Sequence, residues 1–278
     1  MNRVRLGAVG YLNARPLVYG LDTSPRFDVR YDVPSECARL LHEGAIDVGL
    51  IPSIEYLRGG PYRIAPDLAI ASRGPVASVA LFSAKPMSEV RSIAMDTSSR
   101  TSVALARVLC ARLFAIDPRL DARGPDIDEM LAHCDAALII GDNALFLDPA
   151  AVRLKPDPTH PGGVRLQPDV QKIDLGEAWT GLTGLPFVYA FWAGRADALA
   201  AGDVDALQRA RDQGVKRPDE LARQYLADRP DRHAIGARYL RDNIQYYLGE
   251  EERAGLELFY RYAAEAGAVP RAMPLLFY

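Results

Sequence analysis

Reactive and metal-binding side chains are sparse in this sequence. It holds only three cysteines, Cys37, Cys110 and Cys134, far apart and without a CxxC pair. That excludes a zinc knuckle and a redox dithiol. Cys37 and Cys110 fall on apolar helical faces and read as small core residues, which suits a reducing compartment. The four histidines, His42, His133, His160 and His233, share no ligand spacing, and HExxH is absent. A P-loop, a GxSxG elbow and a GxGxxG after the first strand are also missing, so nucleotide cofactors lack their usual cradle. No apolar run approaches the roughly 18 residues of a membrane span. The segment after Met1 runs straight into a strand pattern with no secretory h-region. Net charge is −3 and no basic run is interleaved with aromatics, which argues against nucleic acid. The expectation is a cytoplasmic protein that uses neither metal nor organic cofactor.

What is present is ordinary globular composition, 49% hydrophobic and 25% charged over 278 residues, enough for one large domain or two lobes. Short apolar runs alternate with helical spacing. Strands are expected at 4–9, 27–33, 48–51, 68–71, 76–82, 92–95, 120–123, 136–140 and 187–193, with helices between many of them. This pattern predicts an α/β fold of open sheets wound by helices. Lobe one is expected at 1–83 plus 188–278 and lobe two at 84–187, with two linkers that permit hinge closure. The Pro-rich stretch 149–172, where Val152–Asp157 nearly recurs as Val164–Asp169, reads as a surface insertion. Beyond Arg195 the pattern is almost wholly helical, and the Tyr246-Tyr247 pair reads as packing.

The most informative stretch is Asp96-Thr97-Ser98-Ser99-Arg100-Thr101-Ser102. It ends an apolar strand and opens a helix, where free backbone N–H groups and the dipole attract an anion. One helix start needs one capping hydroxyl; here there are five and an arginine. Three further strand-to-helix junctions carry polar groups: Asn13 with Arg15, where Asn13 reads as an N-cap; Pro52-Ser53; and Gly141-Asp142. All four are expected at the carboxyl edges of strands, where ligands of open α/β sheets bind. Ser72 and Ser78, near the crossover, are candidates for the cleft wall. Carboxylates near the cleft are Glu55, Asp96, Asp142 and Glu177. Glu55 could equally be a solvated first-turn charge, Asp96 a cap, and Asp142 a turn residue. Neutral hydrogen bonders with an arginine suit a carboxylate-bearing small molecule and do not by themselves show catalysis.

The ordered blocks carry a resemblance. Gly10-Tyr11-Leu12-Asn13-Ala14-Arg15-Pro16-Leu17, Asp47–Tyr56, Asp96–Ser102, Asp174–Glu177 with Thr183–Val188, and the segment Tyr239–Pro270 together resemble the chorismate dehydratases of the futalosine route to menaquinone. The likeness spans the chain apart from 149–172. It implies a periplasmic-binding-protein type II fold with a hinge, and loss of water from the dicarboxylate chorismate without a cofactor. On that reading Asn13 is expected to be catalytic by orienting the substrate, Arg15 or the hydroxyls Ser99, Thr101 and Ser102 to bind its carboxylates, Ser53 to line the floor, and Ser72, Ser78, Ser98, Gly141 and Asp142 to complete the substrate site. The sister 1,4-dihydroxy-6-naphthoate synthases resemble Cys-Pro-Asn-Asp-Thr where this chain has Tyr11–Arg15, and carry a histidine in the block matching Ile139–Asp142. Both departures favour the dehydratase. A non-catalytic solute-binding protein of the same fold is the other class to weigh.

Overall fold

The computed structural model describes residues 3–152 and 170–278. The first sheet runs β2 (Phe27–Asp32), β1 (Val4–Val9), β3 (Val48–Pro52), β11 (Phe187–Arg195), β4 (Tyr62–Ile64), with β5 (Ile70–Ser72) also on β11. β1 is parallel to β2 and β3, and β11 runs antiparallel to β3, β4 and β5. The second sheet runs β10 (Gln171–Asp174), β6 (Val79–Ser83), β9 (Ala136–Ile140), β7 (Ser92–Asp96), β8 (Arg119–Arg123). Here β7 is parallel to β8 and β9, while β6 is antiparallel to β9 and β10.

Two points differ from the sequence expectation. Val79–Ser83 belongs to the second sheet, so the chain crosses between sheets at 73–78, before the expected boundary at 83. Gly74 at φ 83° and Ala77 at φ 64° turn the chain there. Gln171 and Lys172, placed inside the insertion, open an edge strand on β6, Gln171–Asp174; its charged and polar residues hid it. The internal near-repeat of 149–172 lies almost entirely outside the described residues.

Asp174 ties the two crossings together. Its carboxylate accepts from Val76 N (3.0 Å) and Ala77 N (2.6 Å) on one, and from Gly176 N (2.9 Å) and Glu177 N (3.1 Å) at the start of α5 (Leu175–Thr183) on the other. Lys172 Nζ donates to Ala77 O and Ala144 O, and burial pulls its pKa down.

β11 shows why a buried central strand loses alternation: Phe187 through Gly194 are all buried because both faces are covered. Trp179 of α5 is fully buried and stacks edge-on against Phe187, Phe259 and Tyr262. Its indole N–H donates to Pro186 O at 3.1 Å. The C-terminal helices, α6 (Ala201–Gly214), α7 (Pro218–Tyr225), α8 (His233–Arg238) and α9 (Glu250–Glu265), lie after β11. α9 packs on β11 through Gly255, where a Cβ would stand 2.1 Å from Pro186 O. Gly255→Ala must therefore push α9 off the strand. The expected cost is about 1–3 kcal/mol, read as a lowered Tm with Gly202→Ala, a glycine with open space around it and an ordinary φ, as the control.

Candidate active site between the sheets

Each of the four expected junctions follows a strand on one side of a common cleft. β1 leads into a 3-10 turn, Leu12–Val18; β3 into the 3-10 turn Ser53–Leu57; β7 into α2 (Arg100–Arg112); β9 into α4 (Gly141–Leu145). The cleft is lined by Val9, Tyr11, Asn13, Pro34, Pro52 and Ile70 from the first sheet and its loops, and by Tyr189 and Ala190 of β11. Across from them stand Val76, Ser78, Val79, Ser99, Ser102, Ile140 and Gly141. It is narrow: of about 460 Å³ of unfilled space at the cleft, part of it open to solvent, the centre of a water molecule fits in only about 40 Å³. Apolar side chains dominate it and a few polar groups converge, as in small-molecule sites. Among the described residues, neither Lys nor Arg lines it.

The Asp96–Ser102 stretch divides its labour residue by residue. Ser98 turns inward: its N–H and hydroxyl donate to Asp96 Oδ1 at 3.0 and 2.6 Å, and Tyr11 OH donates to Ser98 at 3.4 Å. Asp96 thus braces the turn ahead of the helix. Arg100 reaches away to Glu55. Thr101 is fully buried and its oxygen accepts from Ile54 N at 3.1 Å, beside Ser53. Only Ser99 and Ser102 face the cleft, with Ser102 donating to Ser99 at 3.1 Å. Ser99 is the N-cap position, yet no side chain caps the helix. The first N–H groups of α2 therefore have no partner from within the helix.

Asn13 stands differently from the expected N-cap. It lies inside the 3-10 turn, whose cap position is Tyr11. Its Oδ1 is buried and has no hydrogen-bond partner among the described residues. A buried acceptor left open costs about 1–3 kcal/mol, so this atom is a built feature of the cleft wall. Beside it, Tyr239 OH donates to Ser78 Oγ at 2.7 Å. Burial pushes the Tyr239 phenol up, which keeps it protonated and leaves the Ser78 O–H free to donate into the cleft. Tyr189 OH hydrogen-bonds Ser72 Oγ at 3.1 Å on the same floor.

Arg15, Ser53, Ser72, Ser98, Thr101 and Asp142 do not line the space. Arg15 is held between the rings of Tyr31 and Tyr225, 4.7 and 4.8 Å from their centroids, and donates to Gly10 O. Aromatic faces rather than solvent hold it, so it lies behind the wall. Ser53 Oγ donates to Val188 O at 2.8 Å and serves packing. Ser72 backs Tyr189. Asp142 accepts from Tyr225 OH and from Leu12 N, joining the end of β9 to the first sheet's side. Glu55, weighed as a solvated charge, is fully buried. Tyr11, Tyr189 and Tyr239 carry no periodic signal that marks them as cleft residues; Tyr11 and Tyr239 sat in blocks that carry the family resemblance, and Tyr189 did not. Tyr239 enters through a wide helical turn, Tyr239–Asn243, which sequence spacing does not reveal.

Burial raises the Asp142 carboxyl above its ordinary value despite the bonds from Tyr225 and Leu12. A folded-state pKa raised above the unfolded one, about 3.9, means stability present below that value and lost as pH climbs through the raised one. The Tm difference between wild type and Asp142→Asn should therefore shrink from about pH 4 toward neutrality. A constant difference would contradict it.

The chain matches the menaquinone biosynthesis family over residues 4–265. A chorismate dehydratase of Thermus thermophilus is 34% identical over 269 residues, covering 96% of this chain and 96% of the relative. A chorismate dehydratase of Campylobacter jejuni is 29% identical over 264 residues, 92% of this chain and 95% of that one. Among solved structures, a protein of Archaeoglobus fulgidus superposes at a TM-score of 0.73 with 17% identity, covering 96% and 98% of the two chains. The periplasmic aliphatic sulphonate binding protein of Escherichia coli superposes at 0.62 with 15% identity, covering 98% and 94%. At such identities these structures establish the fold, a two-lobed periplasmic-binding-protein-like arrangement of mixed sheets and helices. No helix among the described residues is long and apolar enough to cross a membrane. From the first residue of β1 to the end of α9, the chain belongs to the menaquinone biosynthesis family.

Proposed function

We propose that this protein is a chorismate dehydratase, a cytoplasmic hydro-lyase that removes water from chorismate to give 3-((1-carboxyvinyl)oxy)benzoate. The observation that carries the reading is the open Asn13 Oδ1 in a narrow apolar slot whose polar contacts are neutral. The family and the dehydratase relatives support it. Val9, Val76, Val79 and Ile140 suit the faces of a six-membered ring. Ser99, Ser102 and the uncapped start of α2 offer N–H and O–H donors to a carboxylate. Arg15 adds positive field from behind the wall rather than contact.

The reaction breaks the C3–H and C4–O bonds and forms a ring double bond. Among the described residues no charged base lines the cleft, so the enolpyruvyl carboxylate of the substrate takes the C3 proton. That proton and the hydroxide from C4 make the departing water, and the ring becomes aromatic. The protein contributes geometry and fixed dipoles: Asn13 orients the ring substituents, and Ser78, backed by Tyr239, donates toward developing negative charge. Closure of the lobes about residues 73–78 and 175–186 keeps solvent out. A solute-binding protein would hold chorismate unchanged. A naphthoate synthase would need a histidine at the β9–α4 junction, where this chain has Gly141-Asp142. Incubation with chorismate should raise the absorbance of a benzoate product; chorismate recovered intact would reject the proposal.

A further inference from the structure

Glu55 sits at 0% exposure with every carboxylate oxygen engaged. Oε1 accepts from Arg58 Nη1 at 2.8 Å. Oε2 accepts from Arg100 Nη1 at 2.7 Å and meets His42 Nε2 at 3.1 Å, while His42 Nδ1 meets Tyr62 OH at 2.8 Å. Burial alone would push this carboxyl up; the bond from His42 and the charges of Arg100 and Arg58 outweigh it and hold it below the carboxylate range. Arg58 and His42 come from Glu55's own side of the molecule. Arg100 comes from the other side, as the first residue of α2.

Other bonds cross at the same place. Ile54 N donates to Thr101 Oγ1 at 3.1 Å, and Ser35 N donates to Ser98 O at 3.0 Å. Residues 98, 100 and 101 are thus fastened to the first sheet's loops, while 99 and 102, three apart on one helical face, are presented to the cleft. The start of α2 follows a strand of the second sheet yet is anchored to the first.

We infer that Glu55 and Arg100 are positioning residues that clamp the start of α2 so that Ser99, Ser102 and the free helix N–H groups meet a substrate carboxylate. The inference rests on reading the cleft as a carboxylate site. It gives Arg100, half-exposed and absent from the lining, a part in affinity without touching substrate. Arg58 supplies the comparison: it neutralises the same carboxylate without reaching α2.

Arg100→Gln is the test variant, since it breaks the crossing pair at its exposed end and leaves Glu55 its two local partners. The clamp predicts a KM for chorismate raised about fivefold or more with kcat within about twofold. It also predicts exchange of the Ile54 amide faster by about tenfold. Arg58→Gln should move neither. An unchanged KM in Arg100→Gln would overturn the inference, as would a fall in kcat at constant KM. Equal shifts in both variants would overturn it too, because charge balance at Glu55 would then explain them. Wild-type protein that leaves chorismate untouched would remove the functional reading instead. Ile54 exchange would then decide the clamp alone: faster in Arg100→Gln supports it, unchanged rejects it.

Discussion

Asn13→Ala should lower kcat by about 10²–10³-fold, the usual loss when a preorganised polar contact to the reacting molecule is removed. The fold should survive the change intact. Asn13 Oδ1 accepts nothing from the protein, so its desolvation is uncompensated without substrate. Removing it relieves that cost, which is about 1–3 kcal/mol, and offsets the packing loss and the lost hydrogen bond from the Asn13 amide to Tyr239. The expected pair of results is a Tm equal to or above wild type and turnover close to background. Activity near wild type would take Asn13 out of the mechanism. A large fall in Tm would show that the amide serves the fold.

Ser99→Asp should separate stability from binding in the same way. Ser99 is the N-cap of a 13-residue helix and makes no capping bond. An aspartate there can accept from the first-turn N–H groups and sits favourably at the positive end of the dipole, each effect worth about 0.5–1 kcal/mol. Stability should hold or rise. The same carboxylate would face a substrate carboxylate across a slot that no cation lines among the described residues. Two like charges about 4 Å apart repel by roughly 4 kcal/mol near a protein surface, so kcat/KM should fall about 10²–10³-fold. Ser99→Asp with both stability and kcat/KM at wild-type levels would place the carboxylate subsite elsewhere.

Much of the architecture was legible because short strands and helical spacing alternate along the chain. The strand at 136–140 and the helix after Pro34 appear within a residue of their expected ends. β10 was not legible: Gln171 and Lys172 give no apolar alternation, and the strand exists only because β6 offers it an edge. The crossover was misplaced because Val76–Phe82 reads as one apolar run, while the positive φ of Ala77 breaks it. At the cleft, residue type located the junctions but not the direction of each side chain. Ser98, Ser99, Thr101 and Ser102 look interchangeable in sequence. Helical phase and the neighbours Asp96 and Ile54 send two of them inward and two to the cleft. Arg15 shows the same limit: two tyrosines distant in sequence, Tyr31 and Tyr225, capture its guanidinium.

The central claim is that a neutral slot holds chorismate while the substrate's own carboxylate removes the C3 proton. The most direct measurement compares chorismate with its analogue carrying a carboxamide in place of the enolpyruvyl carboxylate, following benzoate absorbance under saturating conditions. The account predicts rapid dehydration of chorismate and none of the bound carboxamide. Comparable rates for the two would require a base on the protein and would contradict it.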